Sequence, residues 1–524
     1  MKKKLITLLL VVSMVAASLL GCGAKQGSEG NGESNGGLSG ELSICVFNGG
    51  YGTEWLKQMA ESYESIHPGV KVKIETTVTP EDTRTLVESG KSNHDIVMLN
   101  INFFNVAAKN KLVSLNDIYE KAPEGESMTI AEKVGENVVN YYTQDDNIYQ
   151  MSWAGGRTGL CYNETVLDEA FGAGKWEVPT TTDELIQLCN ALKGKGYYSF
   201  SFCAEEDYWD YCLFGWTAQY MGYEEYFDYF SGVYKNESGE KVSADISKSD
   251  EFLTATEKGK LEALTLLETL TKESNGYSHP DSDVMNFMEA QQAFLGWGFD
   301  DDKTKVAMTP NGDWLENETE YMLSQNPQTI KMMKLPVISS IIDECETIQD
   351  DATLQKVVDF VDGNESAAPT GVSEEDIARI REARNTYHSL SLSQAMAIPS
   401  SSDHVELAKD FMVYMCSEQA QQIFSQTLKG VTMPYGFNPT NVSTIKMSEF
   451  QKSVYDCYGG DTNPVPYRDY SSNLVTYGGL YLMKNKYAAE LFTGTKTAAD
   501  ICSEIKTDIR GSWETILGSA GTTE

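Results

Sequence analysis

The sequence predicts an α/β protein built as two lobes, from the order of its strand-like and helix-like segments and from its length. The apolar run ELSICVF is typical of a buried strand, and VKVKIETTV alternates polar and apolar residues as a half-buried strand does. Between them, EWLKQMAESYESI has apolar residues at helical spacing. Strands that alternate with helices indicate βαβ units and a parallel sheet. The chain has 524 residues, which is enough for two large lobes.

Later segments continue the mixture of strands and helices. DIVML is an apolar run typical of another buried strand, and PEDTRTLVES before it is helical. TTDELIQLCNALKGKG begins with Thr181 three residues before Glu184, which is a capping box, and it ends in glycine. DHVELAKDFMVYMC predicts a helix that opens on Asp403. Its expected buried face consists of Val405, Ala408, Phe411, Met412 and Met415.

Residues 1–21 have the composition of a bacterial lipoprotein signal peptide. Three lysines precede an uncharged apolar stretch over residues 5–20, which is short for a membrane-spanning helix of about 20 residues. The sequence LLGC, which ends at Cys22, looks like the lipobox of bacterial lipoproteins, and this resemblance implies that Cys22 is diacylated and becomes the N-terminus. We expect an anchor on the extracellular face of the cell membrane. The alternative is an ordinary signal peptide that contains a cysteine.

Residues 22–40 predict the lipidated cysteine and a flexible tether. The segment is rich in glycine, serine and charged residues, and Leu38 is its one large apolar residue. Such a composition cannot bury enough apolar surface to offset the entropy lost on ordering. The folded body is therefore expected to begin at residue 41.

The charge of the chain limits its partners. There are 77 acidic residues against 41 lysines and arginines, a formal net charge of −36. A surface this acidic repels nucleic acid and anionic lipid headgroups, so we predict no nucleic-acid partner and no membrane contact beyond the lipid anchor. A monomer is expected.

The nine cysteines after Cys22 are odd in number and show no CxxC spacing. Most of them lie within apolar segments such as SICVF, GLCYN and VYMCSE. This pattern is typical of small buried side chains and not of a disulfide framework or a zinc site. A disulfide between Cys203 and Cys212 is permitted by the sequence but not indicated by it.

No sequence motif of an enzyme is present. The chain lacks HExxH, GxSxG and GxxxxGK[ST], and its five histidines are scattered and mostly in polar surroundings typical of solvated side chains. The stretch FDDDK lacks the glycine and glutamate of an EF-hand loop. We therefore predict no catalytic residue, no metal and no cofactor. A glycoside hydrolase needs only two suitably spaced carboxylates, so a lipid-anchored extracellular hydrolase is the alternative.

Aromatic residues occur next to polar residues in three places. These are EEDYWDYCLFGWTAQYMG, NIYQMSWAGGRTGLCYNET and KTKVAMTPNGDWLENE. An aromatic ring can stack on the apolar face of a sugar while carboxylate, amide and guanidinium groups bind its hydroxyls. Each ring could equally belong to a core or a domain interface.

Five segments in the same order resemble the extracellular solute-binding proteins of bacterial carbohydrate ABC importers, of the maltose-binding type. The resemblance covers nearly the whole chain after the tether. The segments are HDIVMLNINFFNVAAKNKLVSLNDI, NIYQMSWAGGRTGLCYNETVLDEAF, WEVPTTTDELIQLCNALK, KVAMTPNGDWLENE and QAMAIPSSSDHVELAKDFMVYMCSEQAQQIF. Each segment is a weak match, but their common order makes the resemblance specific.

The resemblance implies a type II periplasmic-binding-protein-like fold, in which crossover segments join two α/β lobes around a ligand cleft. It implies a first lobe of residues 41–153 and 336–410, and a second of residues 154–335 and 411–524. The protein is then expected to capture a sugar or oligosaccharide at the cell surface, and lobe closure signals this to an ABC permease. The alternatives are the hydrolase and a binding protein for a non-sugar solute.

The resemblance also implies positions for the ligand-binding residues. Those of the first lobe follow its first and third strands: Asn48, Tyr51, Asn100 and Asn102. The crossover contributes Trp153 and Arg157, and the second lobe contributes Tyr208, Trp209, Asp313 and Trp314. Trp314 is the foremost of these, because a tryptophan directly after a turn is poorly placed for a core.

Two departures from the family pattern stand out. Residues 338–390 are longer and more helical than the corresponding part of compact members. The DIVMLN segment lacks the aromatic residue often found just after its strand, which leaves Asn100 and Asn102 as polar substitutes.

Overall fold

The computed structural model describes residues 38–204, 206, 208–297, 305–460, 462–484 and 487–521. The predicted signal peptide, Cys22 and the tether up to residue 37 lie outside the described residues, as does the FDDDK stretch. The strands are β1 (Ser39–Phe47), β2 (Gly69–Thr77), β3 (Ile96–Met98), β4 (Thr143–Gln144), β5 (Asn147–Ile148), β6 (Met151–Ser152), β7 (Thr158–Asn163), β8 (Tyr198–Phe200), β9 (Val233–Lys235), β10 (Lys241–Ser243), β11 (Val306–Gly312), β12 (Ile330–Met333), β13 (Thr386–His388), β14 (Ala395–Ala397) and β15 (Asn463–Val465).

Helices account for much of the rest of the described chain. They are α1 (Glu54–Ile66), α2 (Pro80–Glu88), α3 (Phe104–Ala107), α4 (Asn116–Tyr119), α5 (Ile130–Val134), α6 (Glu136–Tyr142), α7 (Glu164–Phe171), α8 (Thr182–Gly194), α9 (Asp210–Met221), α10 (Tyr223–Phe230), α11 (Ser249–Ala255), α12 (Glu257–Thr271), α13 (Phe287–Phe294), α14 (Leu315–Glu318), α15 (Glu320–Gln325), α16 (Asp351–Val361), α17 (Glu374–Asn385), α18 (Val405–Met415), α19 (Glu418–Thr427), α20 (Glu449–Tyr458), α21 (Asn473–Thr476), α22 (Ala488–Thr493) and α23 (Ala498–Gly521).

The first sheet has five strands in the order β2-β1-β3-β14-β6. Strand β1 is parallel to β2 and β3, with α1 between β1 and β2, so the predicted βαβ unit is confirmed. The strand begins at Ser39 and not at residue 41. Ser39 and Gly40 pair with Gly69 and Val70 in the β2 ladder, and these backbone hydrogen bonds order two residues whose composition predicted a tether.

The second sheet has four strands in the order β12-β7-β11-β8. Its β7 is buried along its whole length, as the apolar sequence TGLCYN requires, and β11 pairs antiparallel with it. Helix α8 begins with the predicted capping box, in which Thr181 and Glu184 bind each other's backbone N–H groups. Helix α18 begins after His404 and not on Asp403, and Val405 is the one member of its predicted buried face that is only half-buried.

Hydrophobic packing divides the chain at different residues from those expected. Residues 336–385 were expected with the first lobe, but Val337, Leu354 and Ile380 pack in the cluster around the second sheet. Residues from 411 onward were expected with the second lobe, but those up to Tyr435 pack around the first sheet, where Phe424 lies against Trp55. In the long helical segment, α17 packs on α9 and α16 packs on α17, and the buried apolar residues of both helices belong to the cluster around the second sheet.

Of the nine cysteines that the structure describes, seven are buried, in agreement with the prediction of small buried side chains. Cys345 and Cys457 are half-buried. Across the described ranges, no helix has the length and apolar character needed to cross a membrane.

The chain passes between the two sheets three times, at residues 153–157, 389–394 and 436–448. The first two crossings lie side by side, because Leu390 N–H donates to the carbonyl oxygen of Gly156 at 2.8 Å. Gly156 has φ +55°, and a Cβ atom there would lie 2.6 Å from the backbone nitrogen of Ser391. Only glycine fits this close approach without displacing the neighbouring backbone.

We expect Gly156→Ala to lower the free energy of unfolding more than an alanine at another left-handed glycine. The control is Gly174→Ala, because Gly174 has φ +68° but a Cβ atom added there would meet no other atom within 4 Å. The control is expected to cost about 1 kcal/mol from its backbone conformation. Gly156→Ala is expected to cost at least twice as much, measured by urea unfolding. Equal losses would show that the crossings can separate freely.

Candidate ligand-binding site

The loops that follow β1 and β3 in the first sheet meet the loops that follow β8 and β11 in the second. The carboxyl ends of parallel strands lie at one edge of a sheet, which is where open α/β sheets bind ligands. Two polar contacts cross between the sheets here. Tyr51 O–H donates to Oδ1 of Asp313 at 2.5 Å, and the side chain of Asn317 donates to the carbonyl oxygen of Gly50.

Asp313 is a fully buried carboxylate at this contact. Besides the Tyr51 hydroxyl, it accepts the backbone N–H of Arg157 on Oδ2 at 3.2 Å, and Gly156 N–H donates to the Tyr51 oxygen at 3.2 Å. Burial raises the pKa of Asp313 to about 6, against the opposing effect of the Arg157 charge and of these hydrogen bonds. One carboxylate therefore joins the first sheet, the second sheet and the first crossing.

Trp314 lies between the two sheets. Its ring contacts Tyr51 edge to face at a centroid distance of 6.1 Å and Tyr211 at 5.7 Å, and it is 6 % exposed. A Cβ atom on Gly50 would lie 2.7 Å from Trp314 Cδ1, so the absence of a side chain at Gly50 lets the indole approach. Although Trp314 follows a strand of the second sheet, it packs in the core cluster of the first. The expectation that a tryptophan directly after a turn is poorly placed for a core was therefore wrong, because the facing loop of the first sheet covers the ring.

A cavity of about 350 Å³ lies beside Tyr211. The first sheet contributes Asn100 and Asn102 from the loop after β3. Strand β13 contributes His388, and the second crossing contributes Leu390. The remaining lining residues are Glu81, Arg84, Ile101, Glu206, Asp210, Tyr211, Ser393, Tyr467 and Tyr470. The cavity thus joins aromatic rings, amides and charged groups from both sheets.

Two residues that line this cavity each have a buried polar atom without a hydrogen-bond partner among the described residues. These atoms are Oδ1 of Asn100 and Nε2 of His388. A buried acceptor that is left unpaired costs about 1–3 kcal/mol, so nearly all such atoms in proteins are paired. Two of them at one cavity favour a polar molecule as its occupant.

A larger cavity, of about 1330 Å³, lies on the other face of the crossings. Tyr387 and Ser391 line this cavity, whereas His388 and Leu390 line the smaller one. Neighbouring residues of an extended segment point to opposite sides, which explains the alternation. The smaller cavity is the candidate site, because it lies at the strand ends and, in the described part of the chain, two of its lining residues have an unpaired buried acceptor, against one residue with an unpaired buried atom, Tyr141, at the larger cavity.

The structure brings some predicted residues to this region. Asn100 and Asn102 line the cavity, and Tyr51, Asp313 and Trp314 form the adjoining contact between the sheets. Whether each of them touches ligand stays a prediction.

Other predicted residues lie elsewhere. Trp153 is buried in the core of the first sheet, where it stacks on Trp55 at 5.6 Å and its indole N–H donates to the carbonyl oxygen of Leu99. Trp209 is fully buried in the core of the second sheet against Phe200. Both rings are corrected from ligand-binding to core residues, because each is enclosed by its own lobe.

Three predicted residues are near the sheets' contact or on its periphery but do not line the cavity. Tyr208 is buried against Tyr211 at 5.0 Å. Asn48 is exposed, and its backbone N–H donates to Thr77. The guanidinium of Arg157 turns to the larger cavity, where Nη1 donates to Thr432 Oγ1 at 2.7 Å.

Sequence reasoning missed His388 and the tyrosines at positions 211, 467 and 470. His388 was grouped with solvated histidines, but it is 1 % exposed, so that interpretation was wrong for this residue. Its neighbours in sequence, TYHSLSLS, are polar and gave no sign of burial. Tyr211 could have been found, because it lies one helical turn from Tyr208 in the same aromatic segment.

The fold and the cleft define a type II periplasmic-binding-protein-like protein with two lobes. The chain belongs to the family of bacterial extracellular solute-binding proteins, whose sequence model matches residues 58–446. No curated protein matches the sequence.

Solved structures of similar fold cover nearly the whole chain. The GacH receptor of Streptomyces glaucescens GLA.O, solved unliganded and in complex with acarbose and an acarbose homolog, is 14% identical with a TM-score of 0.56, and the alignment covers 91% of this chain and 98% of that one. The solute-binding protein RafE in complex with raffinose is 17% identical, with a TM-score of 0.54 and coverage of 90% and 99%. The apo form of RafE from Streptococcus pneumoniae is also 17% identical, with a TM-score of 0.54 and coverage of 91% and 99%.

The raised pKa of Asp313 predicts a stability that falls as pH rises. Between pH 3.8 and about 6 the folded state holds a proton on Asp313 that the unfolded state has released. Raising the pH through this window therefore lowers the free energy of unfolding, by about 2–3 kcal/mol for a shift of this size. Asp313→Asn removes the effect, so the wild type is expected to lose that amount relative to the variant, measured by urea unfolding from about pH 3.5 to 7.

Asp95 provides a control of opposite sign. Burial raises the pKa of this carboxyl, but hydrogen bonds from Ser402 and Ser43 outweigh burial and lower it. The wild type is therefore expected to gain stability relative to Asp95→Asn as pH rises from the acid side through the usual aspartate range. If the difference in the free energy of unfolding between the wild type and Asp313→Asn does not change with pH, the assignment of a raised pKa to Asp313 is contradicted.

Proposed function

We propose that this protein captures a sugar or oligosaccharide in the cleft between its lobes and delivers it to the permease of a bacterial ABC importer. The observation that carries the proposal is the 350 Å³ cavity, where tyrosine rings lie beside unpaired amide and imidazole acceptors. Sugars need this combination, since their C–H faces stack on rings while their hydroxyls form hydrogen bonds. Family membership and the fold shared with an acarbose-binding and a raffinose-binding protein support it.

The lobes close on the sugar, and the permease recognises the closed form. Binding in the cleft favours the arrangement in which Tyr51 bonds to Asp313 and Trp314 lies against Tyr211. The crossings keep their mutual hydrogen bonds while the lobes move about them. Proximity of the loops around Gly50 and Asn317 then reports an occupied cleft.

The protein binds its sugar without converting it, and it uses no cofactor or metal. A lipid-anchored glycoside hydrolase is the second candidate, because Glu206 and Asp210 place two carboxylates at the same cavity. A binding protein for a non-sugar solute is the third. The acidic surface supports a monomer with the permease as its protein partner and without nucleic acid as a partner.

A glycan panel tests the function and separates the candidates. Thermal unfolding finds sugars that stabilise the protein, calorimetry measures their affinity, and product analysis detects turnover. A sugar at 100 times its dissociation constant is expected to add about 2.7 kcal/mol of stability. Trp314→Ala is expected to weaken its binding by about 1–3 kcal/mol, because it removes a ring from the contact between the lobes.

Trp176→Ala is the matched control, since Trp176 is a half-buried tryptophan of the second lobe that packs on Tyr162. This control is expected to keep wild-type affinity. Affinity of Trp314→Ala within twofold of wild type would show that the contact between the lobes at Trp314 does not contribute to sugar binding. Products from any glycan would favour the hydrolase.

Anchoring by lipid at Cys22 is the localisation that we propose. Cys22→Ser should release the protein from membranes into the medium, because it removes the acylated side chain. Each CH₂ group of the acyl chains buried in the membrane contributes about 0.8 kcal/mol of binding free energy. Membrane fractionation with immunoblotting measures this. Cys345→Ser, at a half-buried thiol of the folded body, is the control and should stay membrane-bound. If Cys22→Ser stays in the membrane fraction as the wild type does, the lipoprotein assignment is contradicted.

A further inference from the structure

His388 combines complete burial, a fixed ring and one unused nitrogen. It ends β13 where the chain returns toward the first sheet, and its ring stacks on Tyr211 at 5.9 Å with an angle of 21°. Burial lowers its pKa to about 3, so the imidazole is neutral at physiological pH. Within the described ranges, Nε2 has no hydrogen-bond partner, although the residue lines the 350 Å³ cavity.

The contacts of Thr158 determine which ring nitrogen carries the proton. Thr158 Oγ1 lies 2.7 Å from the carbonyl oxygen of His388 and 2.9 Å from its Nδ1. A carbonyl oxygen can only accept, so the single hydroxyl proton of Thr158 goes to it. Nδ1 must then hold a proton and donate it to Thr158 Oγ1. In a neutral imidazole this leaves Nε2 as a bare acceptor.

The remaining groups of the cavity also favour a donor-rich molecule. Oδ1 of Asn100 is a second unpaired acceptor among the residues described. Among the charged lining residues that the structure describes, three are acidic, namely Glu81, Glu206 and Asp210, and one is a guanidinium, Arg84, whose Nη2 lies 2.5 Å from a Glu81 oxygen. An anionic group would therefore meet repulsion and two acceptors that it cannot satisfy.

We propose that His388 Nε2 and Asn100 Oδ1 accept hydrogen bonds from two donor groups of the bound saccharide, so that the cavity selects neutral or amino sugars and rejects acidic ones. This inference rests on the proposed sugar-binding function. The selectivity is strong, because an analogue without the donor leaves a buried acceptor unpaired. His388 selects for a hydrogen-bond donor more strictly than Asn100 does, because Thr158 fixes the ring and the tautomer of His388.

The first measurement uses the free protein. Nitrogen NMR of ¹⁵N-histidine-labelled protein distinguishes a protonated from a bare ring nitrogen, and assignment by comparison with His388→Phe identifies the signals. We expect protonated Nδ1 and bare Nε2 at neutral pH. A protonated Nε2 overturns the inference whatever the sugar result.

The second measurement uses sugars of defined chemistry. Raffinose, maltotriose and maltoheptaose are the probes, and the one that binds most tightly is compared with its monodeoxy and uronic-acid derivatives by calorimetry. At least one monodeoxy derivative and the uronic-acid derivative are expected to bind the wild type at least tenfold more weakly than the parent. In His388→Phe, which keeps a ring against Tyr211 but lacks the acceptor, the deoxy difference should disappear.

His279→Phe is the matched control, because His279 is also a buried histidine but does not line this cavity. It should retain the tenfold deoxy difference. If His388→Phe does not fold, the NMR signal of Nε2 in the wild-type protein is followed instead. This signal is expected to shift when the parent sugar is added. It should not shift when the deoxy derivative that lacks the donor for His388 is added.

The outcomes separate this inference from the function on which it rests. If a probe binds tightly and the affinities of all its deoxy and uronic-acid derivatives lie within twofold of that of the parent sugar, the inference is overturned and the proposed function stands. Failure of every probe and of the wider glycan panel overturns both.

Discussion

The buried carboxylate of Asp313 is the constraint on which the described arrangement of the two lobes depends. Its two oxygens accept from Tyr51, which follows a strand of the first sheet, and from the backbone of Arg157 in the first crossing. Asp313 itself follows β11 of the second sheet. Burial makes the charged form costly, and the Arg157 charge, the Tyr51 hydroxyl from the first lobe and backbone N–H groups offset part of that cost. The relation between the lobes is thus tied to the pairing of one charge.

The backbone segments at the crossings are packed closely against each other. A Cβ atom on Gly155 would lie 2.6 Å from the Thr432 carbonyl oxygen, and one on Gly156 would lie as close to Ser391. The chain can therefore place three distant segments side by side, and a hydrogen bond joins His388 to Thr158 across two of them. Such close packing restricts the motion of the cavity wall at the second crossing, which favours a defined orientation for whatever binds there.

The buried indole at Trp153 is paired, whereas two residues at the cavity have buried acceptors that are unpaired within the described chain. Trp55, Trp153 and Phe424 pack as an ordinary core, with the Trp153 indole N–H paired to a backbone oxygen. At the cavity, Asn100 and His388 have acceptors without a partner among the described residues. Unpaired buried atoms occur in the cores as well, such as Nε1 of Trp209, but here two of them belong to residues that line one cavity. A fold that leaves such atoms unpaired accepts a loss of stability at the place where a ligand can supply the missing donors.

The sequence by itself determined the α/β class, the first βαβ unit, the capped helix at Thr181 and the order of segments that marks the family, because these depend on local periodicity and short motifs. It also placed Asn100 and Trp314 at the strand ends. Tertiary structure alone decided which aromatic rings enter a core: Trp153 stacks on Trp55, nearly a hundred residues earlier. It likewise decided the lobe to which α16 and α17 belong, and the burial of His388. Each of these outcomes depends on contacts between distant segments, which local patterns do not encode.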